Sequence, residues 1–211
     1  MTQTTSAFFS GELGGLVLYA LYGLLTQNAV LGRALGSSRL TLLVNDEDGS
    51  TGTFAKLLFL TQLTSGLVCW GLNRWMNTHT SESFRVHYRV LILMVGLCIV
   101  FFLLFFLIVE LLPAEKARVT VRQLPIAAFN CCIMGTLLLT GVQNYTLPQT
   151  VGFCIGSALG YLAALGLMTE GNRKMKKADL PVSFRGLPST LVYLGILSLL
   201  VYSFTGHGLA V

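Results

Sequence analysis

Long apolar stretches without a single charge alternate with short polar segments along the chain. Five stretches contain no Asp, Glu, Lys or Arg: Leu13–Gly32, Leu57–Asn73, Val90–Val109, Gln123–Thr169 and Gly186–Val211. A helix needs about 20 apolar residues to cross the hydrocarbon core of a bilayer. Four of the stretches are therefore about the length of one membrane span. The stretch Gln123–Thr169 is too long for a single span.

That long stretch contains a run of turn-forming residues, GVQNYTLPQT at 141–150. Gly, Asn and Pro favour turns, and an irregular loop in contact with lipid would leave backbone groups unpaired. We therefore divide the stretch into two spans. The sequence predicts six membrane-spanning helices in one domain over residues 1–211, at about 13–32, 56–75, 89–110, 123–141, 151–169 and 187–206.

The composition excludes the soluble and disordered classes. Charged residues make up 11% of the 211 residues and hydrophobic residues 54%, with a mean hydropathy of +0.71. Soluble domains are about 25% charged, and disordered chains are poor in apolar residues. The fold class that this predicts is an all-α integral membrane protein.

The basic residues predict the orientation. The leader MTQTTSAFFSGE has no Lys or Arg, so we interpret the first stretch as a span rather than a signal peptide. With six spans, 11 Lys and Arg fall on one side of the membrane and three, Arg74, Arg85 and Arg89, on the other. The positive-inside rule then places both termini outside the cytoplasm. The net charge of +5 is explained by topology, with anionic lipid headgroups as secondary partners and no nucleic acid.

Three spans in each half favour an inverted repeat, because an odd number reverses the second half relative to the first. Such repeats place functional sites near the midplane, on short or interrupted helices. The corresponding helices are the first and the fourth. Each carries an asparagine followed by apolar residues and a glycine, at Asn28–Gly32 and at Asn130–Gly135.

Polar side chains inside the predicted spans are the first candidates for function. Gln27 and Asn28 end the first span, and Asn130 lies in the fourth. An amide in lipid is costly unless it is paired, so these groups either bond neighbouring helices or border a cofactor or ion site. Glu110 and Glu170 end spans, where an interfacial position or a role in an ion path are the two alternatives.

The five cysteines, an odd number, all lie inside predicted spans, so we expect no disulfide framework. No C-x-x-C pair is present, and the chain alone does not specify a zinc or iron–sulfur site. Cys131 and Cys132 are adjacent and point about 100° apart on a helix, so they rarely bind one metal together. The other three are expected to be small apolar packing residues.

Gly152, Gly156 and Gly160 form a strip of small residues on the fifth span. This spacing permits close helix approach, either within the protein or to a partner subunit.

Three segments resemble the membrane subunits of the Rnf and Nqr electron-transport complexes. ADLPVSFRG at 178–186 follows a basic run and precedes the final apolar helix. LPIAAFNCCIMG at 124–135 is similar to the family's fourth-helix motif, and NAVLGRALGSS at 28–38 to its first-helix motif. The similarity covers the A subunit of Rnf and the D and E subunits of the sodium-translocating NADH:quinone reductase. It is specific over 123–206 and loose over 1–110.

The resemblance implies two short helices that meet mid-membrane, each offering one cysteine. Two homologous subunits of opposite topology then hold a 2Fe-2S cluster between them. Cys131 matches the second of these cysteines, whereas Ser38 occupies the position of the first, or Ser37 if the alignment shifts by one residue. A serine hydroxyl is a poor substitute for a thiolate as an iron ligand. Three alternatives follow. The iron–sulfur cluster is retained with serine as one ligand, Cys132 replaces the missing cysteine, or the cluster has been lost.

The leading hypothesis is a non-catalytic membrane subunit of a redox-driven complex that moves Na⁺ or H⁺ across a bacterial inner membrane. Cys131 would be the cluster ligand, with Ser38 facing it and Asn28 and Asn130 lining the site. The alternative is a cofactor-free transporter-like or structural protein on the same scaffold. The chain has no nicotinamide or flavin motif, so we do not expect catalysis by the chain alone.

Overall fold

The computed structural model describes residues 12–38, 40–41, 51–177, 181 and 184–205. Within them the regular structure is helical, as the apolar pattern predicts. The helices are α1 (Glu12–Leu21, continued by a π-helical turn at Tyr22–Thr26), α2 (Thr51–His79), α3 (Glu82–Leu111), α4 (Ala114–Ala128), α5 (Cys131–Val142), α6 (Leu147–Lys177) and α7 (Leu187–Thr205).

Each of the six predicted spans has a helical counterpart, which confirms the all-α membrane class. Three helices, α2, α3 and α6, are long and apolar enough to cross a bilayer. The pair α4 and α5 passes the same test together but is bent by 49°. The remaining two are shorter apolar helices, Gly14–Thr26 and Leu187–Ser203. The surface supports this assignment, because α3 exposes Val95, Ile99, Phe102 and Phe106, an apolar face suited to lipid or to another membrane subunit.

Two of the predicted spans, the first and the fourth, are not continuous helices, so this part of the prediction was wrong. The span at 13–32 is helical only to Thr26, after which the backbone turns irregularly. The span at 123–141 is interrupted at Phe129 and Asn130, and its helix already begins at Ala114. That earlier start was missed because 115–122 is charged. The four charged residues there all lie on the exposed side, whereas Ala117 and Leu124 are buried.

Three of the other predicted spans were too short at the ends that leave the bilayer, whereas the sixth, at 187–206, agrees with α7. Helix α2 continues to His79, α3 starts at Glu82 and α6 continues to Lys177. In α6, three lysines occupy the last turn, where positive charge is favourable at the C-terminal end of the helix dipole. Hydropathy marks the apolar core of such a helix and not its solvated ends.

The helices pack in a pattern that is repeated between the two halves. Helices α2 and α6 pack against each other at the centre. In the first half α3 packs on α2, and α7 packs on α6 in the second. Helix α1 packs along α6, and α4 packs along α2. This is the arrangement that a three-plus-three repeat with interrupted first and fourth spans predicts.

The glycine strip on α6 is used inside the protein. A Cβ at Gly152 or Gly156 would collide with the backbone carbonyl of Leu16 or Ala20 on α1. Gly160 lies against the side-chain amide of Asn28. Of the two predicted uses, packing within the chain is the one observed.

Candidate site at two helix breaks

Asn28 organises the first break. Its side-chain oxygen accepts hydrogen bonds from the backbone N–H groups of Val30 and Leu31, both at 3.0 Å. Its amide nitrogen donates to the carbonyls of Leu24 (3.1 Å) and Gly160 (3.3 Å). An asparagine that bonds its neighbours' backbone competes with the helical ladder, so the chain leaves the helix here without burying unpaired groups. The predicted interhelical role of Asn28 is thereby observed.

Asn130 organises the second break in a similar way. Its side-chain oxygen accepts from the N–H of Cys132 at 3.1 Å and caps the N-terminus of α5. Both asparagines thus bond the N–H two residues ahead. The amide nitrogen of Asn130 is buried and has no hydrogen-bond partner among the described residues. A buried donor is therefore available at the N-terminal end of α5.

The two breaks lie against each other. A Cβ at Gly36 would be 2.6 Å from Asn130 Oδ1 and 3.0 Å from the ring of Tyr161. A Cβ at Gly135 would collide with the side chain of Leu35. Gly36 has φ +78, in the left-handed region that glycine tolerates, so both its conformation and its missing side chain are required. The predicted meeting of the first and fourth spans is present.

Cys131 and Ser38 are both solvent- or lipid-accessible at this junction. Cys131 is the first residue of α5 and is exposed. Ser38 is exposed, two residues after the Gly36 that contacts Asn130. The structure therefore places both predicted residues at the two adjoining breaks, on accessible surface.

Cys132 is directed into the helix bundle instead. It is fully buried, and its sulfur lies 3.9 Å from the hydroxyl of Ser157 on α6. Adjacent helical residues point in different directions, so Cys131 and Cys132 do not share a surface. Among the described residues, no group of three or more His, Cys, Asp and Glu side chains is arranged to hold a metal.

The remaining predicted polar residues serve local structure. Gln27 donates to the Tyr22 hydroxyl at 3.0 Å and accepts from Arg33 at 2.6 Å. Glu110 is exposed at the end of α3. Glu170 is not at a helix end as predicted, because α6 continues to Lys177; it is exposed about two turns earlier and pairs with Arg173 at 2.9 Å.

A buried polar pair was missed from the sequence. Gln62 on α2 donates to the hydroxyl of Thr136 on α5, and both side chains are fully buried. The bond ties the second half-helix of the broken span to the central helix. Gln62 is a lone amide in the middle of an apolar span, and that position is the signal by which the sequence could have identified it.

Comparison with known proteins adds to this geometry. The model of the Rnf-Nqr family, described as "Rnf-Nqr subunit, membrane protein", matches residues 16–210. The chain belongs to the Rnf-Nqr subunit family. The match includes both breaks, so Asn28 and Cys131 lie within the family region.

Curated relatives are similar over part of their length. The E subunit of the Na⁺-translocating NADH-quinone reductase from Haemophilus influenzae is 34% identical over 83 residues, which is 39% of this chain and 42% of the relative. The corresponding protein from Saccharophagus degradans is 36% identical over 86 residues, 41% of this chain and 43% of the relative. The matched region thus spans about two fifths of each relative.

Proposed function

We propose that this chain is a membrane subunit of a redox-driven, ion-translocating electron-transport complex. The observation that carries the proposal is the exposed thiol of Cys131, at the N-terminus of a half-helix that abuts a second helix break. A thiol on an accessible surface of a membrane domain could ligate a metal centre that is shared with another subunit. Membership of the Rnf-Nqr family over residues 16–210 supports the same assignment.

The donor set fits an iron–sulfur centre in part. Cys131 supplies a soft thiolate, and the buried amide nitrogen of Asn130 supplies a neighbouring N–H of the kind that tunes such centres. Ser38 would supply an oxygen from the first break, at the position where the family motif has a cysteine. A bound 2Fe-2S cluster would supply a one-electron relay, with the other ligands coming from a homologous subunit of opposite topology.

The chain's own residues hold this site in place. Asn28 and Asn130 end the two helices so that the breaks meet, and Gly36 lets them approach. One electron would enter from a reduced carrier on a partner subunit, and one would leave to an oxidised carrier on another. The chain itself then undergoes no net change, and partner subunits couple the transfer to movement of Na⁺ or H⁺.

The same proposal assigns the location and orientation. The protein would lie in a bacterial inner membrane with both termini outside the cytoplasm. The basic residues support this, because 11 of 14 fall on the side that contains the basic end of α6.

A second function, a cofactor-free subunit or transporter-like protein, is favoured by one observation. Ser38 stands where the family motif has a cysteine, and a neutral hydroxyl binds iron weakly. On this alternative the breaks persist as packing features only.

Purification from the native membrane in mild detergent distinguishes the two. The redox proposal expects stoichiometric iron, an EPR signal after reduction, and co-purification of a flavoprotein and of a second Rnf-Nqr family subunit. An iron-free protein without a flavoprotein partner would establish the alternative.

A further inference from the structure

A polar pocket of about 270 Å³ lies near the turn that joins α2 to α3. This is the end of the hairpin away from the basic loops. Its lining combines two arginines on α3 with two asparagines and two rim residues: Arg85, Arg89, Asn77, Asn144, Glu82 and Val86. It is smaller than pockets for drug-sized ligands, which hold about 300–1,000 Å³. A small charged group suits this volume.

The two arginines are held on one face of α3, four residues apart. Arg85 donates to the side-chain oxygen Oδ1 of Asn77 at 3.0 Å and pairs with Glu82 at 3.4 Å. Asn77 in turn donates to Asn144 at 2.9 Å. These contacts fix the wall of the pocket that joins α2, α3 and the loop before α6.

Arg89 has no such partner. Among the described residues it makes no ion pair, and its buried Nε finds no hydrogen-bond acceptor. The stem of the side chain passes over Gly141, with Cδ 3.8 Å from where a Cβ would stand. A guanidinium that is partly buried and unpaired is costly, and an anion in the pocket would relieve that cost. The net charge of the lining is positive by one.

The depth of the pocket indicates which anion it meets. Aromatic side chains gather at membrane–water interfaces, where lipid headgroups lie. At this end of the hairpin, exposed Phe84 and Tyr88 stack with ring centroids 4.5 Å apart, and Trp75 is 58% exposed. The pocket is therefore at headgroup level. Two of the three basic residues on this side line it, although the positive-inside rule disfavours basic residues there.

We propose that Arg85 and Arg89 bind a phosphate group at the membrane surface, the headgroup phosphate of an anionic phospholipid. The planar guanidinium offers paired N–H donors that match phosphate oxygens. Asn77 and Asn144 position Arg85, while Arg89 supplies the unpaired charge.

The test uses the full chain, purified with the subunits that accompany it and delipidated in neutral detergent. Native mass spectrometry measures binding of phosphatidylglycerol, with phosphatidylcholine and inorganic phosphate as separate probes. We expect one tightly bound phosphatidylglycerol, weakened about tenfold or more by Arg89→Gln, as expected for loss of a charge-assisted bond. Arg74→Gln removes an exposed arginine assigned to the same side and should have no effect.

A second variant keeps the proposal falsifiable if Arg89→Gln does not fold. Val86 is 75% exposed at the rim, so Val86→Glu adds a repelling carboxylate without disturbing the core. It should weaken the same binding. If inorganic phosphate binds as well as phosphatidylglycerol and is weakened equally by both substitutions, the pocket is a phosphate site whose ligand is free phosphate. Phosphatidylglycerol binding that is absent, or equal in wild type, Arg89→Gln and Val86→Glu, would overturn the proposal.

Discussion

Gly36 lies against the side-chain amide of Asn130, so that any Cβ at position 36 would stand 2.6 Å from Asn130 Oδ1. The two residues belong to different helix breaks and are far apart in the sequence. Their contact is what joins the interrupted first and fourth spans. A loss of this contact should therefore affect the whole junction.

Gly36→Ala should destabilise the protein by about 1–2 kcal/mol from the left-handed backbone alone, and by more from the clash with Asn130. The measurement is unfolding in detergent followed by circular dichroism. Gly166→Ala is the matched control, because a Cβ there meets nothing within 4 Å. Equal stability of the two variants would show that the breaks are not in tight contact.

Asn28→Ala should destabilise the first break, because four hydrogen bonds end on this one side chain. Buried backbone groups left unpaired cost roughly 1–3 kcal/mol each before relaxation. Unfolding of this variant should be compared with that of Gln143→Ala, which changes an exposed amide. If Asn28→Ala leaves the free energy of unfolding unchanged, Asn28 does not stabilise the first break.

Gly156→Val should separate α1 from α6, since even a Cβ at this position collides with the carbonyl of Ala20. Overpacking of this kind costs about 1–3 kcal/mol. Expression and unfolding of the variant report the effect, and Gly166→Val serves as the control on the same helix. Equal expression and stability of the two variants would show that the glycine strip is not needed for packing of α1 on α6.

Cys131 should be the first thiol of the isolated chain to react with N-ethylmaleimide in detergent. It is exposed, whereas Cys98 is half-buried and Cys69, Cys132 and Cys154 are buried. Intact-mass analysis of wild type and Cys131→Ala identifies the fast adduct. A fast adduct that survives in Cys131→Ala would contradict the placement of this thiol.

The orientation is tested by reporter fusions in the loops. A fusion at residue 176 should report a cytoplasmic position, and a fusion at 146 an external one. The reverse pattern would overturn the assignment made from the basic residues.

The apolar pattern predicts the helical class and the approximate positions of the apolar helices, because a bilayer requires a long uncharged segment for each span. It does not predict breaks, since Asn28 and Asn130 interrupt helices through side-chain bonds to the backbone that periodicity does not register. The charged start of α4 was missed for a related reason: charges on an exposed helical face resemble those of a loop.

The candidate site was predicted in part. Motif similarity selects Cys131, Ser38, Asn28 and Asn130, and the structure brings their segments together. The burial of Cys132 follows from its direction at the start of α5, which depends on where the helix begins. The bond between Gln62 and Thr136 joins residues distant in the chain, and a single sequence does not encode such a pair visibly.

We propose that Cys131 is a ligand of a redox centre shared with a partner subunit. This proposal is tested most directly by iron content and EPR of the complex purified from its native membrane, as wild type, Cys131→Ala and the control Cys98→Ala. If Cys131 is such a ligand, the wild-type complex contains stoichiometric iron and gives a reduced-state signal that Cys131→Ala loses and Cys98→Ala keeps. A wild-type complex without iron, or iron unchanged in Cys131→Ala, would contradict it.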